Sequence, residues 1–523
     1  MTGDRVTLAP ALDLDFEIGR LFSVPARALT DDVVRHVRDN HVGGVIWFQS
    51  TTDVVRSANA ELQRLAGEPL LISADLESGM GMRFTDAVWW PPAMALAATG
   101  DPALAEEQAR VTAREALAIG VNHILAPVCD VNVDPANPVI NTRSFGEDPR
   151  DVARYVAAMV RGTQSEGALA TAKHFPGHGD THVDSHRALP VLDASRERLE
   201  RVELVPFRAA IDAGVGSVMI GHLAVPALDP APVPVRASFE NVWGTELHEV
   251  TRGGTMPATL SAPVISLLRS LGFDGLIVSD AFDMGGLAAH FDPSEAAVRA
   301  LEAGEDQILY SADTDAAIAA VRAAVLSGRV SRARIREAYE RVRQAADAGR
   351  RAQRAGRRAQ RAGGRSKDPG SGGGLLPPAL CALRPALALD IARRSITLVR
   401  DTRGLLPLRA KRIAVATFTD EPLAHVLTGN ATPESADVLV LYLAMRPKSG
   451  AGRIAVPAEA RQLAEQHANK TVAVSFGSPY ILRELGDVST FVCAWGIQPV
   501  LQIAATNALL GKAEFTGRLP VTL

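Results

Sequence analysis

The chain has 523 residues, 47% of them hydrophobic and 22% charged, with a formal net charge of −4. That length suits two or three domains, or one large α/β barrel with a second unit, and the composition is that of a soluble globular protein. The nearly balanced charge argues against nucleic acid as a partner, and no uncharged apolar run reaches the ~18 residues a membrane span needs.

The amino terminus, MTGDRVTLAPALDLDFEIG, breaks its apolar residues with acids and lacks a basic region ahead of an apolar run, so no secretory signal is expected. Cys129, Cys381 and Cys493 are too few and too far apart for a disulfide framework, which fits a reducing compartment. A cytoplasmic location is the resulting expectation.

Residues 1–348 alternate short β-branched runs with Ala-rich amphipathic stretches. The candidate strands are VGGVIWF (42–48), PLLISAD (69–75), VNHILAPVCDV (121–131), ALATAKHF (168–175), SVMIGHLAVP (217–226), GLIVSD (275–280) and DQILY (306–310). Between them lie helical patterns such as DPALAEEQARVTAREALAIG (101–120), opened by Asp101 as a cap and closed by Gly120. Such alternation means parallel strands with crossover helices, and seven or eight units predict a TIM-type (β/α)8 barrel rather than a doubly wound sheet. Asp75, His174, His222 and Asp280 fall at the C-terminal ends of these strands, the face on which a barrel builds its active site.

Residues 349–374, GRRAQRAGRRAQRAGGRSKDPGSGGG, change character and repeat RRAQRAG in tandem. This is either a basic patch for an acidic partner or a helix end passing into a solvated linker. The lack of interleaved aromatics or an apolar stripe favours a basic, Gly-rich linker. In residues 375–523, RRSITLVRD (393–401), KRIAVATF (411–418), ADVLVLYLA (436–444) and NKTVAVSFGSP (469–479) read as buried strands. With EARQLAEQHA (459–468) and QPVLQIAATNALLG (498–511) as helices, they predict a smaller α/β sandwich domain.

The segment KHFPGHGDTHVDSHRALP, 173–190, spaces His174, His178, His182 and His186 four apart, which on a helix would make one metal-binding face. Pro176, Gly177 and Gly179 argue against that helix, and no H-E-x-x-H or CxxC pattern accompanies it. No metal and no cofactor is expected, and His178 and His182 can simply hydrogen-bond the loop to itself. Asp184 and His186, two apart in extended chain, can share a hydrogen bond that leaves the other ring nitrogen to exchange protons. Asp280 ends the apolar run GLIV, where a carboxylate can serve as nucleophile, metal ligand or hydrogen-bond acceptor. The plain alternative is a helix N-cap at Ser279 or Asp280, a role for which Asp283 is better placed.

KHFPGHGDTHVDSH resembles the signature of glycoside hydrolase family 3 in its β-N-acetylglucosaminidase branch, in the two-domain form. IVSDAFDM, NPVINTRSFGEDP (137–149), PATLSAPVISLLRSLGFDGLIVSDAFDM (257–284) and the terminal GRLPVTL resemble further segments of that family, in order. The resemblance implies a retaining β-N-acetylglucosaminidase that removes terminal GlcNAc from cell-wall or chitin fragments. It implies Asp280 as nucleophile, His186 as acid/base and Asp184 as its dyad partner. Lys173 and His174 match the pair that binds sugar hydroxyls; Asp75 and Arg83 match the ends of the D-x-E-G-G-R-x-x-R segment, and Arg143 the Arg of R-S-F-G. The implied partner is a small GlcNAc-containing saccharide, with inorganic phosphate as an alternative acceptor, because a neutral histidine repels phosphate less than a glutamate would. A phosphorylase or β-glucosidase of the same family is the alternative enzyme, and an inactive sugar-binding protein the alternative of another class.

The chain departs from the family pattern at two places. ISADLESGMGMRF has Ser78 where the pattern has a Gly and Met80 where it has its first Arg. Residues 231–255 separate PALD from PATLS and read as an insertion near the active face that shapes leaving-group selectivity.

Overall fold

A computed structural model describes residues 13–236, 254–363, 378–448, 450 and 453–523. Eight parallel strands form a closed barrel: β1 (Phe22–Ala26), β2 (Gly44–Trp47), β3 (Leu71–Ala74), β4 (His123–Ile124), β5 (Leu169–Phe175), β6 (Ser217–Ile220), β7 (Leu276–Ala281) and β8 (Gln307–Leu309). Pairing of β1 with β8, Phe22 opposite Ile308, closes it. The strands are short and apolar because they are covered on both faces, by residues inside the barrel and by the surrounding helices. Val45, Ile72 and Ile308 belong to one buried cluster, Val218, Ile277 and Phe207 to another.

Helix starts follow the sequence closely. The helix Pro102–Ala118 begins with Pro102 in its first turn, and the Asp101 carboxylate accepts the Ala103 N–H at 3.1 Å. It is followed by Gly120 at φ +88°, a conformation that a side chain would strain.

β1 was not among the expected strands, because FSVPA contains a proline; Pro25 sits opposite Ile46 and simply forgoes a donor in the ladder. The expected strand at 121–131 shrinks to His123–Ile124, after which Pro127 breaks the regular ladder. The chain still runs beside β5, with Val128 bridged to Lys173, and this brings Asp130 next to His174.

The basic segment requires a correction. The helix Arg332–Gly363 runs through 349–363, so that part of the expected linker is helical. Its Arg, Ala and Gln residues are strong helix formers, and the glycines spaced seven apart do not outweigh them. Residues 364–377 lie outside the described residues.

The second domain is a five-stranded sheet: β9 (Thr397–Asp401), β10 (Ile413–Phe418), β11 (Val438–Leu443), β12 (Thr471–Ser475) and β13 (Thr490–Cys493). The order is β10-β11-β12-β13-β9, with only β9 antiparallel to its neighbour. One face packs Val438, Val440 and Tyr442 against the helices Pro378–Ser395 and Pro499–Leu509. The other packs Leu441 and Phe491 against Ala460 and Ala464, and also against Met94, Ala95 and Ala98 of a barrel-side helix. The two domains therefore share a core. Among the described residues, no helix is long and apolar enough to cross a membrane.

Candidate active site

The residues expected at the site all come from the C-terminal face of the barrel. Asp75 directly follows β3, with Glu77 and Arg83 in the same connection, while Arg143 lies after β4. Lys173 and His174 are within β5, Asp184 and His186 in the loop after it, and Asp280 near the end of β7.

One group is a buried ion network. Lys173 Nζ donates to Asp75 Oδ1 at 2.7 Å and lies 2.8 Å from Glu77 Oε1, and Arg83 also binds Asp75. Arg143 grips Glu77 with two bonds, Nη2 to Oε1 at 2.7 Å and Nε to Oε2 at 2.9 Å, and its Nη1 donates to Val139 O at 3.1 Å. Such fork-to-fork pairing fixes direction as well as charge. Burial alone would raise both carboxyls; Lys173 and Arg83 hold Asp75, and Arg143 and Lys173 hold Glu77, well below the usual carboxylate range. Three cations against two carboxylates leave a cationic, hydrogen-bond-rich wall suited to hydroxyl oxygens. Glu77 was not singled out in the sequence, although D-x-E directly after a strand was a readable signal.

The second group answers the histidine spacing. The four imidazoles each turn to a partner of their own. His174 Nδ1 is 2.7 Å from Asp130 Oδ2, His178 Nδ1 2.7 Å from Thr181 Oγ1, His182 Nδ1 2.5 Å from Asp134 Oδ2, and His186 Nδ1 2.8 Å from Asp184 Oδ1. Among the described residues, no group of three or more His, Cys, Asp or Glu side chains is arranged to hold a metal ion. His178 is buried and pushed down to about 4 by desolvation, and its main-chain N–H donates to Asp130 Oδ1 at 2.7 Å. The His182 side chain is 77% exposed, outside the pocket. Asp130, also missed in the sequence, organises the start of the loop: it ends an apolar run as Asp280 does.

Asp184 and His186 form a close pair, with both the ring Nδ1–H and the main-chain N–H of His186 directed at Asp184 Oδ1, the latter at 2.9 Å. The Asp184 side chain is only 1% exposed and that of His186 17%. Burial would raise the Asp184 carboxyl, but its bonds to His186 and to the Gly450 N–H hold it below the ordinary value.

Asp280 is half-buried, and its carboxyl is held below its ordinary value. Burial opposes its charge, and the fields of His174, His222 and His186, with the Ala281 N–H at 2.8 Å, outweigh it. The field of His186 thus reaches Asp280 across the C-terminal face of the barrel. His222 is fixed at both nitrogens, Nδ1 2.7 Å from Thr259 Oγ1 and Nε2 2.9 Å from Ala281 O. The helix-cap alternative does not hold: the N-cap of the helix Gly285–Ala288 is Met284, and Ser279 Oγ accepts the Leu309 N–H.

The departures from the family pattern also find their places. Met80 is buried in the barrel's apolar cluster, and the carboxylates nearby are served by Lys173, Arg83 and Arg143. Ser78 Oγ accepts a 3.0 Å bond from Trp89 Nε1. Of the 231–255 insertion, 237–253 lie outside the described residues. Its ends pair antiparallel at Pro232 and Thr255, and the Arg236 N–H donates to Ala289 O at 2.9 Å, just beyond β7. A cleft of about 640 Å³ opens there, bordered by Arg236, Phe282, Asp283 and Tyr310 but not by Asp280 or His186.

Residues 13–345 match the glycosyl hydrolase family 3 N terminal domain. Over 562 aligned residues the chain is 33% identical to a β-N-acetylglucosaminidase/β-glucosidase of Cellulomonas fimi, a match covering 99% of this chain and 95% of that protein. It resembles the structure of a glycoside hydrolase family 3 β-N-acetylglucosaminidase from Paenibacillus sp. str. FPU-7, with a TM-score of 0.81 and 32% identity, covering 98% of this chain and 99% of the other. A β-glucoside phosphorylase, BglX, solved with bound 2FGlc, is similar at a TM-score of 0.80 and 25% identity, covering 98% and 94%. The chain belongs to glycosyl hydrolase family 3 and is a glycoside hydrolase.

Proposed function

We propose that the protein is a retaining β-N-acetylglucosaminidase acting on terminal GlcNAc of cell-wall or chitin fragments. The observation that carries this reading is the hydrogen bond that holds the His186 imidazole on Asp184, on the same barrel face as an Asp280 carboxyl kept below its ordinary value. Asp280 attacks the anomeric carbon from one face of the sugar while protonated His186 gives its proton to the glycosidic oxygen on the other. The aglycone leaves, and a glycosyl-aspartate remains. Neutral His186 then takes a proton from a water molecule, whose oxygen attacks the anomeric carbon and frees Asp280. Asp184 accepts from Nδ1–H throughout, which assigns the exchanged proton to Nε2. Lys173, Asp75, Arg83, Arg143 and His174 hold the sugar hydroxyls, so that binding energy positions the anomeric carbon. This departs from the two-carboxylate arrangement of most glycosidases.

A second reading is favoured by the same histidine. Once it has given up its proton it carries no charge, so an incoming phosphate meets less repulsion than from a carboxylate, and a phosphorylase is structurally similar to this chain. The test compares nitrophenyl β-GlcNAc and β-glucoside with and without inorganic phosphate, with product analysis. Free GlcNAc as the main product at every phosphate concentration is expected. GlcNAc 1-phosphate would move the assignment to a phosphorylase, and glucoside preferred over GlcNAc would overturn the substrate.

A further inference from the structure

The second domain reaches the barrel's active face through the segment that follows β11. Met445 O accepts the Ser478 N–H at 2.6 Å and lies against Gly477, where a Cβ would stand 2.0 Å from that oxygen. Arg446 pairs with Glu421 and sets its guanidinium 5.9 Å over the Trp89 ring, whose Nε1 is bonded to Ser78 in the barrel. Lys448 is tied to Asp420 at 2.9 Å. A few residues on, the Gly450 N–H donates to Asp184 Oδ2 at 2.7 Å. Gly450 has φ +75°, a conformation that favours glycine.

Both oxygens of Asp184 are therefore engaged, Oδ1 by His186 and Oδ2 by another domain. A carboxylate held at one oxygen can still turn about its Cβ–Cγ bond; held at both, it presents a fixed acceptor to the imidazole. We propose that the main-chain N–H of Gly450 is a positioning group for the acid/base histidine, acting through Asp184, so that the second domain completes the proton-transfer machinery of the barrel. The inference rests on the reading of His186 and Asp184 as the acid/base pair. It also gives Ser78 a consequence: through Trp89 and Arg446, the loop after β3 and the loop after β5 are braced by the same arm.

Gly450→Pro removes the N–H and, because proline fixes φ at about −65°, also turns the backbone out of its left-handed conformation, whereas Gly450→Asn keeps the N–H in a residue that tolerates that conformation. Each is assayed on aryl β-GlcNAc substrates from dinitrophenyl, which departs without a proton, to phenyl, which needs one. Gly450→Pro is expected within about threefold of the parent on dinitrophenyl but at least about 30-fold slower on phenyl; Gly450→Asn stays within about threefold on both. Equal losses on both substrates in a protein that still unfolds cooperatively, or no loss on either, would overturn the proposal. Should Gly450→Pro not fold, Arg446→Ala decides, since it loosens the arm from Trp89. A loss of about fivefold confined to phenyl supports the role, and its absence overturns it. His186→Ala is run alongside: if it shows no leaving-group dependence, the acid/base reading itself has failed. If it shows one and the Gly450 variants do not, only the arm's role has.

Discussion

Asp280 stays charged in a half-buried position because the histidines around it offset the cost of partial burial. A nucleophile needs that: ionised, desolvated and aimed by an N–H bond to its own oxygen. Asp280→Ala is expected to lower turnover on the order of 10⁴-fold or more, since no glycosyl-enzyme can form. Activity near the parent's in a steady-state assay would reject the assignment. His186→Ala should cost about 10²–10⁴-fold on natural disaccharides and far less on dinitrophenyl β-GlcNAc, because only poor leaving groups require a proton. A comparable loss on both would argue against an acid role. Lys173, Arg83 and Arg143 act differently, through a network whose carboxylates are already ionised and fully engaged.

At the scale of the element, the loop after β5 and the connection after β3 carry most of the site. Glu77 joins Lys173 to Arg143, and removing its charge leaves buried Lys173 with Asp75 alone and half-buried Arg143 without its carboxylate. Glu77→Gln is expected to destabilise the fold by about 3–5 kcal/mol, measured by thermal or denaturant unfolding. The pH dependence has a definite sign. The folded-state values of Asp75 and Glu77 are depressed, so their contribution to stability is complete above the unfolded carboxylate range of about 4 to 4.5 and is lost progressively as pH falls below that range toward the depressed folded values. Glu77→Gln should therefore flatten the acid-side fall in unfolding temperature, and an unchanged slope would contradict the network's role. Much of this was legible beforehand: the strands β2 to β12, the capped helix at Asp101, and a broken, non-helical histidine segment all follow from local pattern. β1 and β13 were not, because FSVPA carries a proline and TFVC is too short to stand out from its surroundings. Glu77 and Asp130 were visible as acids but not as partners, since pairing across 66 or 44 residues is written in the barrel's closure rather than in spacing.

For the whole molecule, the shared core is the governing feature. Met94, Ala95 and Ala98 of the barrel side pack with Leu441 and Phe491 of the second sheet, and Asn132 Nδ2 donates to Tyr480 Oη at 2.8 Å across the junction. Burial of apolar surface at this seam couples the domains, so calorimetry should show one cooperative unfolding transition. Two well-separated transitions would mean that the second domain is a detachable appendage. Everything proposed for catalysis depends on Asp280 forming a bond to the sugar while His186 serves the opposite side. The most direct test is mass spectrometry of the protein treated with an activated, fluorinated GlcNAc donor whose glycosyl-enzyme hydrolyses slowly. One sugar attached to the peptide containing Asp280 is the expected result. Attachment to any other side chain, or release of product with inverted configuration and no protein-bound sugar, would contradict it.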